Sequence, residues 1–268
     1  MLNDGRESGL DRIARQQRYE DLLFAHLADR DAGEVRFFVN ARRFDIMRQT
    51  LGKRLRNKSV LNIASGPFAM EFYLSPDAAC IDSIDIDPSL APLHAQLVAE
   101  GLIAPCTFEV SDVMTFTPKR QYDVIVVNDM FYTKYVDFYA VLERYAPFLK
   151  PGGQLYFDIL DRRAGPLWSL FNKDSRYRRY DMEDVHATLR HHDFIVETTL
   201  PSLGIKGGLD GLMRRALWRI GGVANNIIFL CRKGGATLAL ALAMLIGEPP
   251  VPLPEYDKAP LPVAARIA

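Results

Sequence analysis

From Ser59 to Lys233 short, nearly unbroken apolar runs alternate with segments whose apolar residues recur at helical spacing. The runs at 59–64, 80–86, 105–110, 122–127, 154–160, 193–199 and 226–231 read as strands. The first five are apolar on both faces, as in strands covered above and below. Segments 67–75, 89–100, 136–149 and 181–191 read as helices, and Lys150 to Gly153 as a helix stop and turn. Strands alternating with crossover helices predict an α/β fold, a doubly wound, mostly parallel, seven-stranded sheet with helices on both faces.

Ahead of the sheet, residues 9–56 read as two helices, the second carrying Phe44, Met47, Leu51 and Leu55 near helical spacing. The stretch "GIKGGLDGLMRRALWRIGGVA" adds a helix bracketed by glycine pairs before the last strand. The expected organisation is an N-terminal helical cap at 1–57, a sheet domain at 58–233 with a helical insert at 201–224, and a C-terminal segment at 234–268. That last segment begins apolar and ends proline-rich ("EPPVPLPEYDKAPLP"), which predicts an extended tail.

Composition narrows the partners. The chain has 268 residues, 49% apolar, with 33 basic and 33 acidic side chains. A neutral total and the lack of an RNA-binding module count against nucleic acid. Cys80, Cys106 and Cys231 lie in apolar runs without C-x-x-C spacing and read as buried free thiols. The scattered histidines assemble no metal motif. The first residues, "MLNDGRESGLDRIARQQRYE", lack the apolar stretch of a signal peptide, so the expected location is cytoplasmic. Gly234 to Gly247 is uncharged, but as a helix it would extend about 21 Å, short of a hydrocarbon core roughly 30 Å thick. It reads as a terminal helix packed on the domain, with interfacial docking as the alternative.

Sheets of this kind bind ligands at the carboxyl ends of their strands. The first strand there runs into Ala64-Ser65-Gly66-Pro67, where a glycine lets backbone approach a ligand. The second ends in "SIDIDPSL". Asp85 closes an apolar strand near the interval at which a carboxylate meets ribose hydroxyls, with Ile86 beside it; Asp87-Pro88 reads as a plain helix cap. The third strand ends in Ser111-Asp112-Val113, suited to adenine or to a simple Asx turn. The fourth ends in Asn128-Asp129.

Together these stretches resemble the class I S-adenosylmethionine-dependent methyltransferases over residues 58 to 200, with 226 to 232 as a final strand. "VLNIASGPFAMEFYL" is similar to that family's first motif, "IDSIDIDPSL" to the second, "FEVSDVMTF" to the adenine motif, "YDVIVVNDMFY" to the fourth, and "LERYAPFLKPGGQLYFDI" to the helix, turn and strand that follow. The resemblance implies S-adenosyl-L-methionine as cofactor. It implies Asn62, Ala64, Ser65 and Gly66 near the methionine part, Asp85 and Ile86 at the ribose, Asp112 and Val113 at the adenine, and Asn128 near the reacting methyl. Three positions depart from the pattern. Asn62 replaces an acidic residue; Ala64 replaces the first glycine, a mild change; Phe68 replaces the third, so its ring lines the pocket or the helix starts elsewhere.

The reaction implied is in-line methyl transfer to an oxygen or nitrogen acceptor. Asp129 and Tyr132 are the candidate catalytic residues, Tyr132 serving equally as an aromatic wall. His191 and His192 read as solvent-facing charges at a helix end. Tyr19 and Arg43 are placed to close over the cofactor. Basic and aromatic residues mix in "DRRAGPLWSLFNKDSRYRRY" and "LMRRALWRI", which suits a small-molecule, glycan or lipid-linked acceptor, with peripheral membrane contact through 209–220 or 235–247. Two rival classes share parts of this pattern. An NAD(P)-dependent oxidoreductase shares Asp85 but calls for a fuller glycine fingerprint and a Y-x-x-x-K pair. The other is a non-catalytic binding protein on a degenerate methyltransferase fold. Oligomeric state and acceptor identity are not encoded in these motifs.

Overall fold

The structure, a computed structural model, describes residues 9–27, 41–74, 78–104, 106–165, 177–202 and 209–235. They belong to two compact units, one drawn from Met1–Thr117 and Val124–Val127, the other from Pro118–Asp123 and Asn128–Ala268.

The first unit opens with α1 (Gly9–His26) and α2 (Ala41–Leu51), the latter ending in a 3₁₀ turn at Gly52–Arg54. Each carries a buried apolar stripe: Tyr19, Leu22, Leu23 and Leu27 on one, and on the other Phe44, Met47, Leu51 and Leu55, the four expected from the sequence. Each such side chain contributes about 2 kcal/mol by leaving water. Then follow β1 (Ser59–Ile63), α3 (Ala69–Leu74), β2 (Cys80–Asp85), α4 (Leu90–Ala99) and β3 (Thr107–Val110), with β4 spanning Tyr122–Val127. β1 pairs in parallel with β2 and β4, and β2 with β3. Tyr19 is wholly buried, stacks on Phe72 at 4.1 Å between centroids and donates its hydroxyl to the Pro67 carbonyl at 3.0 Å. It is a core residue bracing the turn after β1, not a lid, which corrects the sequence expectation. The Arg43 side chain lies outside the described residues.

The second unit contains α5 (Phe138–Tyr145), β5 (Leu149–Leu160), α6 (Met182–His191), β6 (Phe194–Pro201), α7 (Leu209–Gly221) and β7 (Asn226–Lys233). Asp137 and Asp181 cap α5 and α6 by accepting from backbone N–H groups two residues on. β7 lies between β5 and β6 and is antiparallel to both, with Leu160 opposite Asn226. Its middle is buried on both faces, and Phe229 stacks on Phe157 at 4.9 Å. The seven strands run in the order β3-β2-β1-β4-β5-β7-β6. The expected mostly parallel sheet is present, with β7 as the antiparallel member.

Several local expectations are revised. The helix expected over 136–149 is α only to Tyr145, after which Pro147 sits in a 3₁₀ turn at Ala146–Phe148. Residues 150–153 are not a separate turn but the start of β5. Gly152 bends it with φ +73°, and a Cβ on Gly153 would meet the Lys150 and Asp123 carbonyl oxygens at 2.8 and 3.0 Å. Of the cysteines only Cys231 is buried; Cys80 and Cys106 are half-buried and free, and burial still pushes the Cys106 thiol up to about 12. His191 is exposed, but His192 is half-buried, and loss of solvent, then the neighbouring His191, lowers its pKa. Residues 236–268, including most of the apolar stretch and the proline-rich tail, lie outside the described residues. Among the described residues no helix is long and apolar enough to cross a membrane, and no group of His, Cys, Asp or Glu could hold a metal ion.

Candidate functional site

In the first unit, strand register brings three strand ends together: Ile63 lies opposite Ile84, and Asp85 opposite Val110. The turn after β1 is tied to β2 by Ser65 N–H donating to the Ile84 carbonyl at 3.0 Å and Gly66 N–H donating to Asp85 Oδ2 at 2.9 Å. Asp85 Oδ1 accepts from Asp87 N–H at 3.0 Å, and the Asp85 carbonyl accepts from Ser111 N–H at 2.8 Å. One carboxylate thus fastens two loops. Each of its oxygens takes a single N–H, leaving lone pairs on both for a vicinal diol. Asp112 Oδ1 accepts from Met114 N–H at 2.7 Å, forming an Asx turn beside the buried Val113. Ile86 is 60% exposed, an isolated apolar surface next to Asp85.

The loop keeps a glycine-type trace with few glycines. Ala64, Gly66 and Phe68 all adopt left-handed φ, at 56°, 54° and 62°. For a residue with a Cβ this costs about 1–2 kcal/mol, so the Ala64 replacement is a strained one rather than a mild one. Phe68 does not line an opening. Its ring is fully buried, edge-on to Phe108 at 5.0 Å and 5.1 Å from His94, and α3 starts at the next residue. The Ser65 hydroxyl is buried without a hydrogen-bond partner. An orphaned donor in this turn fits a ligand that brings an acceptor to it.

Asn62 is 3% exposed and its Nδ2 donates to Glu71 Oε1 at 2.8 Å, while the Ser83 hydroxyl donates to the same oxygen at 2.5 Å. Glu71 is wholly buried and its Oε2 has no partner. Burial pushes its carboxyl up, against the pull of the Asn62 and Ser83 hydrogen bonds, and the Asp85 charge adds to the rise.

In the second unit, Asn128 Nδ2 donates to Asp129 Oδ2 at 2.6 Å. Asp129 sits at φ 58°, and its N–H donates to Asp158 Oδ1 at 2.6 Å. The other Asp158 oxygen accepts from Asn226 Nδ2 at 2.6 Å, so this buried carboxylate on β5 holds the strained turn. Tyr132 meets Tyr177 edge to face at 5.8 Å. Its carbonyl accepts from Arg178 N–H at 2.8 Å, and Arg178 pairs with the cap residue Asp137 at 3.0 Å. Arg163 pairs with the fully buried Asp161 at 2.9 Å and donates to the Gly222 carbonyl at 2.8 Å; Arg179 donates to the Asp161 carbonyl and Asn225 Oδ1. Several arginines of the expected basic face therefore brace the fold, and Arg162, Arg163, Arg215 and Arg219 are the arginines the described part of that face leaves exposed, Arg163 while still paired with Asp161. Residues 166–176 lie outside it.

Sequence reasoning missed Glu71, Ser83, Asp158 and Asn226. Glu71 and Asp158 did carry a signal, since each is a carboxylate inside an apolar run ("AMEFYL", "LYFDIL"), the feature that singled out Asp85.

No protein-family model and no curated protein matches the chain. Solved structures do. The N-methyltransferase NodS from Bradyrhizobium japonicum WM9, in complex with S-adenosyl-l-homocysteine, matches with TM-score 0.54 and 17% identity over 82% of this chain and 99% of that one. Magnesium protoporphyrin IX methyltransferase from Synechocystis PCC 6803, with the same molecule bound, gives TM-score 0.55 and 14% identity over 83% and 99%. The [4+2]-cyclase SpnF gives TM-score 0.52 and 16% identity over 71% and 80%. At these identities the likeness shows the fold, that of the class I S-adenosylmethionine-dependent methyltransferases.

Proposed function

We propose that the protein transfers a methyl group from S-adenosyl-L-methionine to an oxygen or nitrogen acceptor, a small molecule, glycan or lipid-linked intermediate. The observation that carries this reading is the Asp85 carboxylate, which fastens the turn after β1 to that after β2 while keeping acceptor capacity on both oxygens. Asp85 would take the ribose hydroxyls, Ile86 an apolar face of the nucleoside, and Asp112 with the Val113 N–H the adenine edge. The Asn62 amide oxygen would accept from the cofactor's ammonium, and Ser65, Gly66 and Ala64 would line its methionine part.

The bound cofactor supplies an activated methyl on a sulfonium. This chain's residues have to align the acceptor and exclude water, an effect that can supply roughly 7–11 kcal/mol. Asn128 would orient the methionine side. Asp129, its carboxylate fixed by Asn128, would remove the proton that a hydroxyl or ammonium acceptor must lose. Tyr132 with Tyr177 would form an aromatic wall for the acceptor.

Calorimetry tests the cofactor half: S-adenosylmethionine binds, NADH does not, and Asp85→Ala weakens the former tenfold or more. Unchanged affinity in that variant removes the ribose assignment. Because a cyclase shares the fold, the reaction itself needs cofactor carrying a labelled methyl, incubated with host extract. Label in a lipid, glycan or small-molecule fraction supports the reading; none in any fraction opposes it.

A further inference from the structure

We infer that α7 is a docking helix for the surface of an anionic phospholipid bilayer. At about 3.6 residues per turn, Leu209, Leu212, Met213, Leu217 and Ile220 share one arc of the helix, with Arg214, Arg215 and Arg219 on the remainder. A stripe of this kind ordinarily faces a core. Here Ile220, near the middle of the arc, is 87% exposed and Leu217 39%, with Ala216, Arg215 and Arg219 exposed beside them. The helix is anchored at its end, where the Gly222 carbonyl accepts from Arg163, itself clamped on buried Asp161.

Charge selects the occupant. The protein is neutral overall, yet α7 carries three arginines against Asp210 alone. A second copy packed on this stripe would set arginine edges against each other. The chain's own apolar stretch from Gly234 to Gly247 has no carboxylate to meet them. A bilayer of anionic phospholipid offers an apolar layer and phosphates at the depth of the arginine rim. At 13 residues the helix is about 20 Å long and lies on the surface rather than crossing it. This goes beyond the methyl-transfer reading and does not depend on it.

The test is flotation of the full chain, without cofactor, with phosphatidylglycerol–phosphatidylcholine vesicles and with phosphatidylcholine alone. The mixed vesicles should carry the protein, more weakly as salt rises. Ile220→Glu should lower partitioning on the order of tenfold or more. Arg215→Gln with Arg219→Gln should lower it by about fivefold per arginine. Both changes are at exposed positions, and an unaltered melting curve verifies folding. Failure to float with mixed vesicles overturns the inference. So does equal binding of Ile220→Glu, which would put the contact elsewhere in the chain. Conversion of an oligomer to a monomer by that variant, read by light scattering, would assign the face to a second copy and overturn it equally.

Discussion

Asn62 on β1 directs its amide Nδ2 at Glu71 on α3, 2.8 Å from Oε1, in the interior of the first unit. A carboxylate only accepts, so this contact orients the amide and turns its Oδ1 away from Glu71. Where the resembling family carries an acidic residue, this chain carries an amide backed by a buried acid.

That pairing predicts a coupled reversal. Asn62→Asp sets two carboxylates face to face without solvent and should destabilise by about 3 kcal/mol at neutral pH. Adding Glu71→Gln should restore about 2 kcal/mol, because an amide again meets a carboxylate. Denaturant melts of the two single variants and the double close the cycle; additive losses would deny the coupling.

The same acid predicts a pH dependence. Burial raises the folded-state pKa of Glu71 above its ordinary 4.5, so the native protein holds this proton more tightly than the unfolded chain. The resulting stability is complete below that ordinary value and is lost as pH rises through the folded one. Glu71→Gln should flatten this part of the curve. Parallel stability–pH curves for parent and variant would contradict it.

Relief of backbone strain is expected at Ala64. With φ at 56°, replacement by glycine removes the Cβ penalty and loses part of it to unfolded-state entropy, a net gain of about 0.5–1 kcal/mol. A higher melting temperature for Ala64→Gly is the expected outcome; a lower one would mean that the alanine methyl makes a contact worth more than the strain.

Asp158 should matter more than its distance in sequence from the motifs suggests. Asp158→Ala strands the Asp129 N–H and the Asn226 amide, each left unsatisfied at about 1–3 kcal/mol. Stability should fall by about 2–4 kcal/mol, and the Asp129 amide should exchange with solvent faster. Full protection of that amide in the variant would show that the turn is held by other groups.

The strand and helix pattern was legible because burial on both faces leaves apolar runs, and burial on one face leaves a period near four, whatever the partner. Asp85, Asp112 and Asn128 were legible for a related reason, since each polar residue stands where an apolar strand stops. The extent of strand β5 past Gly152 and the core position of Tyr19 were not, because both depend on which backbone or ring arrives from distant sequence.

What the chain's residues determined alone is the periodicity that separates sheet from helix and the polar residues that end each strand. Only the tertiary structure decided that Glu71 stands behind Asn62, that Asp158 holds Asp129, that Arg163, Arg178 and Arg179 brace the fold, and that Leu217 and Ile220 on α7 are exposed. Those are pairings between residues far apart in the chain, and a hydrogen bond or a buried face exists only once folding has chosen both partners.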